Sequence, residues 1–103
     1  MDRISRIREM LEANGPDNFL QHALALEYIK EGNEAEARRL FEAVLARDED
    51  YVGSYYHLAK LLERTGETEG AIAVYEKGMA KAKALNDGHA YNELLAAYED
   101  LTM

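Results

Sequence analysis

The sequence contains no cysteine, which excludes disulfide cross-links and thiolate metal sites and leaves stability to packing alone. A reducing cytoplasm is compatible with that composition, and a cytoplasmic protein is expected. Proline occurs once, at Pro16, too rarely for a polyproline or collagen-like chain. Basic residues are scarce relative to acidic ones: 12 Lys and Arg stand against 20 Asp and Glu, a net charge of −8. Nucleic acids and anionic membranes are held by clustered cations that displace counterions, so neither is an expected partner. No apolar run approaches the roughly 20 residues that cross a bilayer. Residues 1–11 carry Arg3, Arg6 and Arg8 but also Asp2 and Glu9, and they lack the continuous apolar stretch of a secretory signal.

The chemistry-bearing patterns are equally thin. His22, His57 and His89 never fall at the i, i+4 spacing that puts two imidazoles on one side of a helix, so no metal site is expected. There is no glycine-rich phosphate loop and no nucleophile motif; Gly15, Gly32 and Gly66 are spaced as helix stops. Carboxylates are plentiful but lack the apolar, pocket-like context that raises a carboxylate pKa for acid–base work. The expectation is no catalysis and no cofactor.

What is present is helix. With 103 residues, 48% of them hydrophobic and 31% charged, the chain has room for one core, and its abundance of Ala, Leu and Glu favours an all-α fold. Ile4, Ile7, Met10 and Leu11 make a helical stripe over about residues 2–14, stopped by Asn14-Gly15-Pro16. Leu20, Ala23, Leu24 and Tyr28 mark a second helix over about 17–31, ended by Gly32 in a left-handed conformation. Asn33 caps a third, with Glu36 placed for a reciprocal capping box, and Ala37, Leu40, Phe41, Val44 and Leu45 carry it to about Arg47. Asp48-Glu49-Asp50 precedes a fourth helix (Tyr55, Leu58, Ala59, Leu62) and suits the positive end of its dipole. Gly66 closes that helix, and Thr68 is expected to cap a fifth (Ala71, Ile72, Val74, Tyr75, Met79) running to about Leu85. After Asn86-Asp87-Gly88, Tyr91, Leu94, Leu95 and Tyr98 mark a sixth to about Leu101.

These helices repeat. Leu24, Ala25, Gly32, Ala37 and Phe41 recur as Leu58, Ala59, Gly66, Ala71 and Tyr75, an offset of about 34 residues, the length of a tetratricopeptide helix–turn–helix unit. In large apolar, small, turn-glycine, small and aromatic positions the pattern resembles the tetratricopeptide repeat family. Gln21 and the closing Glu49 and Lys83 depart from it, and Val44 and Gly78 replace a second small residue. The resemblance implies a right-handed superhelix of antiparallel helix pairs: a half-repeat helix at 1–16, repeats at 17–50 and 51–85, and a capping helix at 86–103, within one domain at 1–103. The sixth helix echoes the first helix of a repeat at a longer offset, which a two-residue extension of the fifth explains; Leu95 stands where a small residue normally receives the next helix.

The resemblance also implies a site. In this family ligands lie along the first helix of each pair, which here presents Phe19, His22, Leu26 and Ile29, then Tyr56, Lys60, Glu63 and Arg64, then His89 and Asn92. The family's carboxylate clamp is missing, since its positions hold His22, Leu26, His57, His89 and Glu93. An extended apolar or mixed peptide is therefore the expected ligand. Lys60 and Arg64 are placed to receive an acidic ligand residue, although Glu63 beside them favours an internal network. Lys77, Lys81 and Lys83 read as a solvated basic strip. Tyr28, Tyr55, Tyr75, Tyr91 and Tyr98 read as packing residues, with Tyr51 and Tyr56 freer for recognition. The expected function is a protein-interaction scaffold or adaptor that captures a peptide or helix of a partner. The alternative is a homodimer built through the unpaired end helices.

Overall fold

Glycine stops in the sequence are where the chain turns. The computed structural model describes residues 2–103, which form six α-helices and no strand: α1 Arg3–Asn14, α2 Asn18–Lys30, α3 Glu34–Arg47, α4 Gly53–Arg64, α5 Thr68–Ala84 and α6 Gly88–Thr102. After α2, Gly32 takes φ 79°; its N–H donates to the Ile29 carbonyl at 3.0 Å and that of Asn33 to Tyr28 at 2.9 Å. This pair of bonds satisfies carbonyls that the helix end leaves unpaired. Gly66 repeats it after α4, with Gly66 bonding Glu63 at 3.1 Å and Glu67 bonding Leu62 at 2.8 Å. A third copy follows α5, where Asn86 holds φ 58° and bonds Lys83 at 3.1 Å.

Side-chain caps open four helices. Asp2, Asp17, Asn33 and Asp87 accept from the backbone N–H of Ser5, Leu20, Glu36 and Ala90 at 2.7, 2.9, 3.3 and 3.0 Å. Two local expectations need correction. The Asn33 N–H is already taken by Tyr28, so Glu36 has no donor to return to and binds Arg39 at 2.8 Å instead of closing a capping box. Glu67, not Thr68, holds the N-cap position of α5; its side chain does not cap the helix but accepts from the Thr65 hydroxyl at 2.9 Å, and Thr68 is the first helical residue. The acidic run before α4 also ties α5 to that turn: Glu49 binds Lys77 at 3.0 Å and Lys81 at 3.2 Å, and Asp50 lies 3.8 Å from Lys81. Lys77 and Lys81 are thus ion-paired rather than simply solvated.

The chain divides into two compact units, Met1–Asp48 and Glu49–Met103. In the first, α1, α2 and α3 run antiparallel to their neighbours, as Arg3–Glu27 at 3.3 Å and Arg47–Asn18 at 2.8 Å require. Its buried residues are Ile7, Leu24, Ala25, Tyr28, Ala37, Leu40, Phe41 and Val44. Met10, expected in the α1 stripe, is 43% exposed; the buried side of α1 centres on Ile7. In the second unit α4, α5 and α6 enclose Tyr55, Leu58, Ala59, Leu61, Leu62, Ala71, Tyr75, Ala82, Leu94 and Ala97. Each large side chain removed from water stabilises its unit by about 1.5–3 kcal/mol. Tyr91 and Tyr98 are half-buried rather than core, and the Tyr98 hydroxyl donates to Glu76 at 3.1 Å.

The helices approach closely at Gly78. A Cβ built there would lie 2.7 Å from Tyr55 Cβ and 3.1 Å from Leu94 Cδ1, so absence of a side chain lets α5 meet both α4 and α6. The extension of α5 is also larger than the sequence suggests. It has 17 residues against 14 in α3, while the following connection shortens from 48–52 to 85–87.

Candidate functional site

In the first unit the site residues lie on α2, which is apolar on two sides. Leu24, Ala25 and Tyr28 are buried on one side. Phe19 and Leu26, about two turns apart, mark the other; Phe19 is 70% exposed, and His22, Leu26 and Ile29 are partly covered. A helix apolar all round ordinarily has both faces covered. The entry to α2 is held firmly: Arg47, at the end of α3, donates to Asn18 at 3.1 and 2.8 Å and also to Gln21. His22 sets its ring edge-on to Phe41, with centroids 5.4 Å apart and planes at 65°.

In the second unit the matching face of α4 is polar. Tyr56, Lys60 and Glu63 succeed one another at helical spacing, each partly covered. The Lys60 ammonium lies 5.8 Å from the centroid of the Tyr56 ring and 3.6 Å from the Glu63 carboxylate. That carboxylate also accepts a hydrogen bond from the Tyr75 hydroxyl. Burial, then the bond to Glu63 and its charge, push the Tyr75 pKa well above the ordinary value of 10.0. Lys60 is therefore engaged within the chain, the network the sequence favoured over capture of an acidic ligand residue. Arg64 is exposed one turn on, and His89 and Asn92 are exposed on α6.

Two contributors were not in the expected set. His57 stacks edge-on with Tyr56, centroids 5.4 Å apart at 90°. Its pKa is lowered by burial, opposed by the charge of Glu93 on α6 and reinforced by Arg64. Tyr75 had been read as packing only. The signal for it lies in the repeat: Phe41 and Ile29 in the first copy become Tyr75 and Glu63 in the second, so a hydroxyl and a carboxylate enter together at two facing positions. Among the described residues no group of His, Asp and Glu is arranged to hold a metal ion, and no helix is long and apolar enough to cross a membrane.

Comparison with known proteins agrees with the geometry. The tetratricopeptide repeat profile matches residues 28–98. A tetratricopeptide repeat domain protein from Salinibacter ruber, solved by crystallography, is 40% identical, with a TM-score of 0.81 over 84% of this chain and 96% of that one. A solution structure of a tetratricopeptide repeat domain protein from the same organism is 38% identical, with a TM-score of 0.82 over 86% and 90% of the two chains. A protein from Bordetella parapertussis is 25% identical, with a TM-score of 0.85 over 98% of this chain and 88% of that one. No curated protein matches the chain.

Proposed function

The chain belongs to the tetratricopeptide repeat family, whose fold is in general a protein–protein interaction module, and from that premise we propose that it is a scaffold or adaptor for an extended peptide of a partner protein. Each unit offers the first helix of its repeat to the partner. In the first unit apolar side chains of the partner pack on Phe19 and Leu26 of α2, with His22 and Ile29 at the margins; in the second, a mixed or polar portion meets Tyr56, Lys60, Glu63 and Arg64 on α4, with His89 and Asn92 at the margins. The reading is one of binding without catalysis, in a reducing compartment such as the cytoplasm.

One observation carries it: α2 keeps a second apolar side, with Phe19 70% exposed, although its other side is already buried. Covering a phenylalanine of this kind is worth about 1.5–3 kcal/mol, a contribution to which Leu26 on the same side of α2 adds. Because Lys60 and Glu63 already offset one another, the α4 face offers polarity rather than a net charge preference.

The test is selection of binding peptides from a random library, followed by titration of isotope-labelled protein. Amide shifts concentrated at Phe19, Leu26, Tyr56 and Lys60, with binding lost in a Leu26→Ala, Tyr56→Ala double variant of unchanged helix content, support the reading. Shifts confined to other surfaces, or full binding by the double variant, would sink it.

A further inference from the structure

Helices α1 and α6 each match half of a repeat, and the α4–α5 pair supplies a template for the helix that each would pack against. In register, Ile7 and Met10 of α1 match Tyr75 and Gly78 of α5. Likewise Tyr91, Leu95, Tyr98 and Glu99 of α6 match Tyr55, Ala59, Leu62 and Glu63 of α4. Where the pair is complete, these positions are covered: Tyr55, Ala59 and Leu62 are 2, 0 and 5% exposed. In α6 the matching residues are only half-buried, and in α1 Met10 is exposed. The charges are opposite in tendency. Helix α6 carries Glu93, Glu99 and Asp100 and no Lys or Arg, whereas α1 carries Arg3, Arg6 and Arg8 against Glu9 and Glu12.

We propose that α6 of one copy of this chain seats α1 of a second copy, head to tail, with Tyr91 and Leu95 against Met10 and with Glu99 against Arg6. The register follows from the α4–α5 pair, in which Tyr55 meets Gly78 and Glu63 takes the Tyr75 hydroxyl. Carried to the end helices, it puts Tyr91 at Met10 and Glu99 at Ile7, with Arg3 and Arg6 on the preceding turn. Arg6 and Met10 border a surface depression of about 340 Å³ on the outer side of α1, shared with Glu9, Ala13 and Asn14, which receives the Tyr91 ring. Met10 and Leu95 are bulkier than Gly78 and Ala59, so the helices sit toward the wide end of the usual spacing of about 8–10 Å. The contact joins unlike surfaces, so a single contact leaves one α1 face and one α6 face open, and copies add until a ring closes or a chain runs on. It uses neither Phe19 nor the α4 face and stands or falls apart from peptide capture.

Light scattering on the full chain from micromolar to millimolar concentration tests it. The expected mass rises from the 11.7 kDa monomer with concentration, and less steeply at high salt, which screens the Arg6–Glu99 attraction. Arg6→Glu and Glu99→Arg each remain monomeric where the parent associates. Their equimolar mixture associates again, because each variant's intact end meets the other's intact end and the two reversed charges meet each other. Both residues are exposed, and unchanged circular dichroism confirms that each variant folds. A parent chain that stays monomeric at millimolar concentration, or a mixture that stays monomeric, overturns the proposal.

Discussion

Replacing Gly78 with alanine sets two helical tendencies against each other. Inside a helix the change removes glycine's conformational penalty, about 1 kcal/mol in favour of the variant. The added methyl, however, falls 2.7 Å from Tyr55 Cβ and 3.0 Å from Tyr55 Cγ, with Leu94 Cδ1 at 3.1 Å. A Cβ atom is fixed to its backbone, so the clash is not relieved by swinging a side chain. Either α4 moves away from α5 or Tyr55, itself 2% exposed, is displaced. Overpacking a close-packed core costs about 1–3 kcal/mol, and with a rigid neighbour the upper part of that range applies. The net expectation is destabilisation by about 1–2 kcal/mol, or roughly 5–15 °C in Tm for a domain of this size. Gly70, on the same helix, is the control. A Cβ there meets Leu62 Cδ1 at 3.6 Å, an ordinary contact, so Gly70→Ala stabilises by about 0.5 kcal/mol. Urea unfolding followed by far-ultraviolet circular dichroism reads both as midpoint shifts at constant slope. Shifts of the same sign at the two glycines, or a Gly78→Ala variant as stable as the parent, would refute the reasoning.

Two further outcomes follow from the same unit. Tyr75→Phe keeps the buried ring but removes the donor to Glu63, and should cost about 1–2 kcal/mol in thermal or urea unfolding. The raised pKa of Tyr75 adds a signature: the unfolded chain ionises this tyrosine near pH 10, while the fold holds it neutral. Its contribution is therefore intact below pH 10 and drains away as pH rises above it, and Tyr75→Phe flattens that alkaline loss relative to the parent. At the turns, Gly66→Ala places a side chain at φ 81° with nothing within 4 Å of the new Cβ, so its cost, about 1 kcal/mol, is purely conformational. Asn86→Gly, at φ 58°, relieves the milder form of that strain and gains about 0.5 kcal/mol; equal and same-signed effects at the two turns would contradict the shared geometry.

Read alone, the sequence located all six helices and their stops, because 3.6-residue periodicity and the glycine at a left-handed helix end are local properties of the chain. The second copy of the repeat marked Tyr55, Ala59, Ala71 and Tyr75 as core for the same reason: equivalent positions in a repeat meet equivalent neighbours. It misjudged Met10, Tyr91 and Tyr98, which fit the stripe of their helices but lie where only part of a partner is present. The candidate site was legible as a set of positions on α2, α4 and α6, not as chemistry. That Lys60 is neutralised by Glu63, and Glu63 held by Tyr75, depends on two helices turning particular faces toward each other.

The sequence by itself determined helix type, number, turns and family, since these rest on residue spacing and backbone conformation within a few positions. Tertiary structure alone decided the rest. It brought Gly78 against Tyr55 and Leu94, joined Glu49 to Lys77 and Lys81, and left Phe19 outside while burying Phe41. Those outcomes depend on distances between side chains far apart in the chain, and such distances are set only when the helices pack.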